Sequence, residues 1–120
     1  MDIEWLRATC LALPGTSEDI KWGNDLCFLV AEKMFCVTNL EPPLHVAFKV
    51  PDEDFEELSQ RDGFIPAPYM ARNKWVMVQN VNKVSKSEWK QFIEQSYNLI
   101  KSKLPKKKQQ ELESKKKSKK

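Results

Sequence analysis

Apolar residues recur at helical spacing at the start of the chain. Ile3, Leu6, Cys10 and Leu13 fall on one face, and Asp2 stands before them as a cap. Pro14-Gly15 ends that helix. The polar stretch Thr16–Lys21 reads as a loop or an edge strand leading into Trp22-Gly23. Residues 26–30 and 34–38 are short apolar runs separated by Glu32-Lys33, the pattern of a hairpin. Residues 39–43 hold a double proline and form a loop. Residues 44–50 alternate: Leu44, Val46, Phe48 and Val50 point one way, His45, Ala47 and Lys49 the other. That alternation predicts a sheet with one buried face and one at least partly wet.

The pattern then returns to helical spacing. Pro51 suits a first turn, and Asp52, Glu53 and Asp54 load a helix N-terminus with negative charge. Phe55 and Leu58 give that helix a narrow apolar face, and Gly63 ends it. Residues 64–68 (FIPAP) are interrupted by proline, residues 74–78 (KWVMV) read as a strand, and residues 79–83 as a polar turn. Ser85 and Glu88 match a capping box, and Trp89, Phe92, Ile93, Ser96 and Ile100 trace one stripe of a last helix that Pro105 ends. The order α-β-β-β-α-β(-β)-α with short connections predicts an α+β, two-layer domain, an antiparallel sheet with helices packed on one face. Residues 1–104 form this single domain, and residues 105–120 are expected to be a disordered lysine-rich tail.

Charge changes the picture more than composition does. The 120 residues carry 20 Lys+Arg and 17 Asp+Glu, a formal charge of +3. Residues 105–120 hold eight lysines against two glutamates, a net +6, so twelve cations against fifteen acids leave the rest at −3. The basicity belongs to the tail. That tail either adds salt-sensitive affinity for phosphate backbones or simply solubilises the chain. The first ten residues start with acids and lack the basic and apolar regions of a secretory signal, so the expected compartment is the cytoplasm. Cys10, Cys27 and Cys36, odd in number and widely spaced, match neither a disulfide framework nor a zinc motif. Only 3 glycines are present, and no phosphate-binding loop or dinucleotide fingerprint.

Candidate chemistry is sparse. His45 is the single histidine and reads as a surface residue rather than a general base. Asp52, Glu53, Asp54, Glu56 and Glu57 read as a helix N-terminus and a solvated face, with weak divalent-cation binding as the alternative. No metal site, cofactor or enzymatic activity is expected. The segment from Tyr69 through Arg72, Asn73 and Lys74 to Trp75 interleaves cations with aromatic rings, as nucleic-acid surfaces do. The alternative makes Trp75 core, Tyr69 half-buried, and Arg72 and Lys74 solvent-facing. Lys21-Trp22 repeats the pairing, and Lys106, Lys107 and Lys108 add charge at the start of the tail.

Over about Trp5 to Lys106 these residues resemble the MmcQ/YjbR family of small bacterial proteins. The matching pieces are Leu13-Pro14-Gly15, Glu18-Asp19, Trp22-Gly23, Lys33-Met34-Phe35 and residues 44–49. Tyr69-Met70, Asn73-Lys74-Trp75, Ser96-Tyr97 and residues 103–106 complete the set. The resemblance implies a compact α+β fold similar to secretion-chaperone or frataxin (CyaY-like) arrangements. It also implies a DNA-binding role with no enzymatic activity or cofactor. The family often carries histidines where this chain has Tyr69 and Lys74, so a role through charge and an aromatic platform rests here on Arg72, Lys74 and Trp75. Weak, salt-dependent DNA binding is the leading expectation. A protein-interaction or chaperone-like module is the second, and an enzyme or metal binder the third.

Overall fold

The computed structural model describes residues 1–68 and 70–118, with side chains as far as Leu112. The order is α1 (Ile3–Leu11), β1 (Thr16–Lys21), β2 (Asp25–Val30), β3 (Lys33–Asn39), β4 (Val46–Lys49), α2 (Asp52–Ser59), β5 (Phe64–Pro66), β6 (Trp75–Val78), α3 (Lys86–Lys101) and α4 (Lys106–Ser118). The strands form one sheet in the order β1-β2-β3-β4-β6-β5, and every pairing is antiparallel. The fold is α+β, as the pattern predicts.

One strand extends the expected order, and the optional second strand after α2 is present. Thr16–Lys21 is a full edge strand, paired from Thr16↔Val30 to Lys21↔Asp25. Its charged side chains (TSEDIK) are what a sheet edge carries to discourage further pairing, so it lacks the apolar alternation of an inner strand. Phe64–Pro66 closes the opposite edge, where Pro66 needs to donate no ladder hydrogen bond.

The helix side of the sheet holds the main core: Phe28, Val30, Phe35, Val46, Phe48, Val76 and Val78 meet Leu6 of α1 and Trp89 and Ile93 of α3. Phe48 stacks on Phe92 with centroids 5.0 Å apart and meets Trp89 edge-on at 5.7 Å. The indole N–H of Trp89 donates to the Val81 carbonyl at 3.1 Å. Ser85 caps α3, accepting from the Glu88 amide at 3.2 Å. Glu88 reaches back, its carboxyl held low by Arg61 and in part by the Ser85 amide, the reciprocal half of the capping box. It forms a two-pronged ion pair with Arg61, at 2.7 and 2.8 Å, which ties α3 to the segment after α2.

A bulge decides which residues reach which face. Phe28 pairs with Cys36 but Leu29 with Met34, leaving Phe35 as an extra residue on β3. Phe35 and Cys36 both join the helix-side core, and Met34 goes to the other side. Ser96, fully buried in the α3 stripe, donates to the Phe35 carbonyl at 2.6 Å and accepts from the Lys49 amide at 2.9 Å. A serine sits in an otherwise apolar stripe because it satisfies two buried backbone groups that the sheet leaves free.

Where the sequence reading places a disordered tail, residues 106–118 are helical. The apolar anchor is Leu112, which is buried in the main core. At Gly15 the backbone takes φ +73°, and a Cβ there would stand 1.9 Å from Leu112 Cδ2, so glycine gives α4 room to dock. Gln109 donates to the Leu104 carbonyl at 2.7 Å, closing the connection from α3.

Candidate functional site

The face away from the helices is partly open to solvent, as strand alternation suggests, but it is apolar. Cys27, Leu29, Val37, Ala47 and Trp75 form a second apolar cluster there with Ala67, and Met34, Met70 and Met77 pack against it. The segment after β5 folds back over part of this face. The Ala67 amide donates to the Trp75 carbonyl, and a short 3-10 turn (Ala71–Asn73) follows. The remainder is a groove of about 690 Å³ floored by Val37, Ala47 and Met77. Trp22, Asp25, Asn39 and His45 stand at one end.

At the other end lies a second cavity of about 440 Å³, lined by Lys33, Lys49, Asn73, Trp75 and Lys103. The two cavities share Met34 and Met70 as walls. Three lysines thus line one cavity from the first residue of β3, the end of β4 and the turn after α3. None of them forms an ion pair among the described residues. Lys49 is only 7% exposed, and its ammonium donates to the Asn73 carbonyl. Burial pushes its pKa below the ordinary lysine value, and the nearby Lys103 and Lys74 charges push the same way, against Asp52 at the start of α2.

The structure separates the residues singled out from the sequence. Trp22 is 68% exposed, at the groove end away from the lysines, and Lys21 precedes it at the end of β1. Arg72 and Asn73 are exposed on the 3-10 turn, and Asn73 reaches the lysine cavity. Lys74 holds its ammonium over the Phe55 ring at 5.2 Å. Trp75 is 4% exposed, so it serves as core and not as a stacking platform. The reason is its pairing with Lys49 on a face that Ala67 and Met70 cover. Tyr69 lies outside the described residues. Lys106, Lys107 and Lys108 are exposed in the first turn of α4, and Lys108 pairs with Glu111 at 3.7 Å.

Nothing in the spacing of Lys33, Lys49 and Lys103 announces a cluster. Each does sit in a piece that carries the family resemblance. The thiols offer no nucleophile: all three are buried, and burial pushes Cys27 up to about 11 and Cys10 far higher. Among the described residues, no group of three or more His, Cys, Asp or Glu is placed to hold a metal ion. No helix is long and apolar enough to cross a membrane among the described residues.

Comparison with known proteins agrees with this architecture. The crystal structure of a Deinococcus radiodurans protein with a DUF419 domain superposes with a TM-score of 0.83 at 27% identity, covering 92% of this chain and 86% of that one. A Pseudomonas syringae protein shares the fold, with a TM-score of 0.69 at 19% identity over 82% of this chain and 98% of that one. Comparison with curated proteins finds no match. The family model for YjbR matches residues 11–99, from the end of α1 almost to the end of α3. The chain belongs to the YjbR family.

Proposed function

We propose that the protein is a non-enzymatic, cytoplasmic DNA-binding module that grips phosphates at the corner formed by Lys33, Lys49 and Lys103. The observation that carries this reading is the convergence of three lysines, from three separate parts of the chain, with no ion-pair partner among the described residues. Exposed Arg72 and Asn73 flank the corner, and the family resemblance points the same way. Three other cations of the described core are held in ion pairs: Arg7 by Glu18 at 2.7 Å, Arg61 by Glu88 at 2.7 Å, Lys83 by Asp62 at 2.9 Å. Free cations concentrated at one place are what phosphate contact needs. The rest of the globular part is acidic, so binding is weak and driven by counterion release. Three free thiols suit the reducing cytoplasm.

The test is an anisotropy titration of the full-length protein with labelled duplex DNA at low and moderate salt. Two or three phosphate contacts give a log–log salt slope of about −2 to −3. The Lys33→Gln/Lys103→Gln variant loses most of that affinity, and the Lys106→Gln/Lys107→Gln/Lys108→Gln variant loses less. Absence of salt-dependent binding, or a corner variant that binds like wild type, overturns the reading.

A second reading, a protein-interaction module, draws on the exposed Trp22 beside the apolar groove. A partner recovered from nuclease-treated lysate by wild type but not by Trp22→Ala would favour it.

A further inference from the structure

We propose that the open face of the sheet binds a small organic anion, with the apolar body of the ligand over Val37, Ala47 and Met77 and its acidic group on Lys33, Lys49 and Lys103. This goes beyond DNA binding. It uses the same cations, but the groove selects the ligand.

Four observations lead there. First, the groove has the size of a ligand site: about 690 Å³ falls inside the usual range of roughly 300–1,000 Å³. Second, three methionines are among the residues that line it, unbranched and polarisable side chains that adapt to different apolar shapes.

Third, the groove is polarised along the strands. Asp25 pairs with Asn39 at the Trp22 end, and Leu29 pairs with Met34 next to Lys33 at the other. Ala47 and Lys49 alternate onto the same face of β4, about 7 Å apart along the strand. Lys49 lines the neighbouring cavity, so a molecule resting on Ala47 that extends past the shared Met34 and Met70 meets the Lys49 ammonium.

Fourth, the charged end is built rather than incidental. Lys49 is 7% exposed, an ammonium carries three donors, and the Asn73 carbonyl takes one. Its charged neighbours are two further lysines, Lys103 and Lys74, against one carboxylate, Asp52, so cations are in excess there. A buried cation among like charges is stabilised by an anion held between them. Carboxylates and phosphate monoesters share the required chemistry, an apolar body with one anionic terminus.

The test uses two fluorescent probes on the full-length protein. 1-Anilinonaphthalene-8-sulfonate has an aromatic body and a sulfonate, and N-phenyl-1-naphthylamine has the same body without the charge. The sulfonate probe is expected to bind at one site by calorimetry, about tenfold more tightly than the neutral one, the difference that one charge-assisted contact makes. Lys33→Gln and Lys103→Gln, both at exposed positions, abolish that difference and leave the neutral probe unchanged. Trp22→Ala weakens both probes. Octanoate and octyl phosphate are the competitors, and whichever displaces the sulfonate probe better identifies the acidic group.

Equal affinity for the two probes, or lysine variants without effect, would overturn the anionic end. Failure of both probes to bind, with near-UV circular dichroism native, would overturn the site. The DNA titration separates the two proposals. DNA binding without probe binding removes this one, and probe binding without DNA binding removes the other.

Discussion

The two faces of the sheet are both apolar at their centres, yet they are built differently. The helix face is closed by large rings: Phe28, Phe35 and Phe48 lock against Trp89, Phe92 and Tyr97. Its polar groups are used up internally, as when the Tyr97 hydroxyl donates to the Pro14 carbonyl at 2.6 Å. The open face is floored by small and flexible side chains, half-roofed by one irregular segment, and ends in unpaired lysines. Rigid aromatic packing fixes a single fold, and methionines with free cations suit a surface that receives something else. The difference assigns stability to one face and recognition to the other.

The largest expected effect breaks the helix face. Phe48→Ala removes a ring that touches Trp89 and Phe92 and costs about 3–5 kcal/mol, read as a lowered denaturant midpoint with the slope unchanged. Ser96→Ala comes next. It strands the Phe35 carbonyl and the Lys49 amide and costs about 2–3 kcal/mol in urea unfolding. It also loosens the backbone that carries Lys49, so probe and DNA affinity fall with it, in a variant that touches neither ligand.

On the open face the expected sign reverses. Lys49→Met relieves the burial of an ammonium and raises stability at neutral pH by about 1 kcal/mol, while binding of the sulfonate probe is lost. A Lys49→Met variant that is less stable and still binds would merge the two faces into one structural core.

The smallest effect concerns the Arg61–Glu88 pair. Arg61 holds the Glu88 carboxyl below its ordinary value. A depressed carboxylate contributes stability above its unfolded pKa and loses it as pH falls through the folded value. The pair is partly exposed, so solvent screening leaves about 0.5 kcal/mol. Unfolding followed from pH 6 to pH 3 is expected to lose that amount more steeply in wild type than in Glu88→Gln.

The sequence is most legible where one face alone decides the pattern. The first helix and α3 follow from periodicity and caps, because each buries one stripe, while the 26–38 hairpin follows from two apolar runs covered on both faces. Thr16–Lys21 and Phe64–Pro66 are strands by position at the sheet edges rather than by hydrophobic pattern. Trp75 follows the core alternative and not the platform, a choice left open because strand alternation says which face a ring takes and not what covers that face. The lysine corner could not be read at all: residues 33, 49 and 103 are brought together only by the β3–β4 pairing and the packing of α3. Lys49 even alternates as an outward residue should. The docking of α4 depends on a single leucine over a glycine, which a lysine-rich composition hides.

The central claim is that recognition sits at the lysine corner of the open face. Backbone amide NMR of the full-length protein, titrated with duplex DNA at low salt, tests it most directly. The account predicts saturable shifts clustered at Lys33, Lys49, Asn73 and Lys103, reversed by added salt. Shifts confined to Lys106, Lys107 and Lys108, with the open face silent, would contradict it.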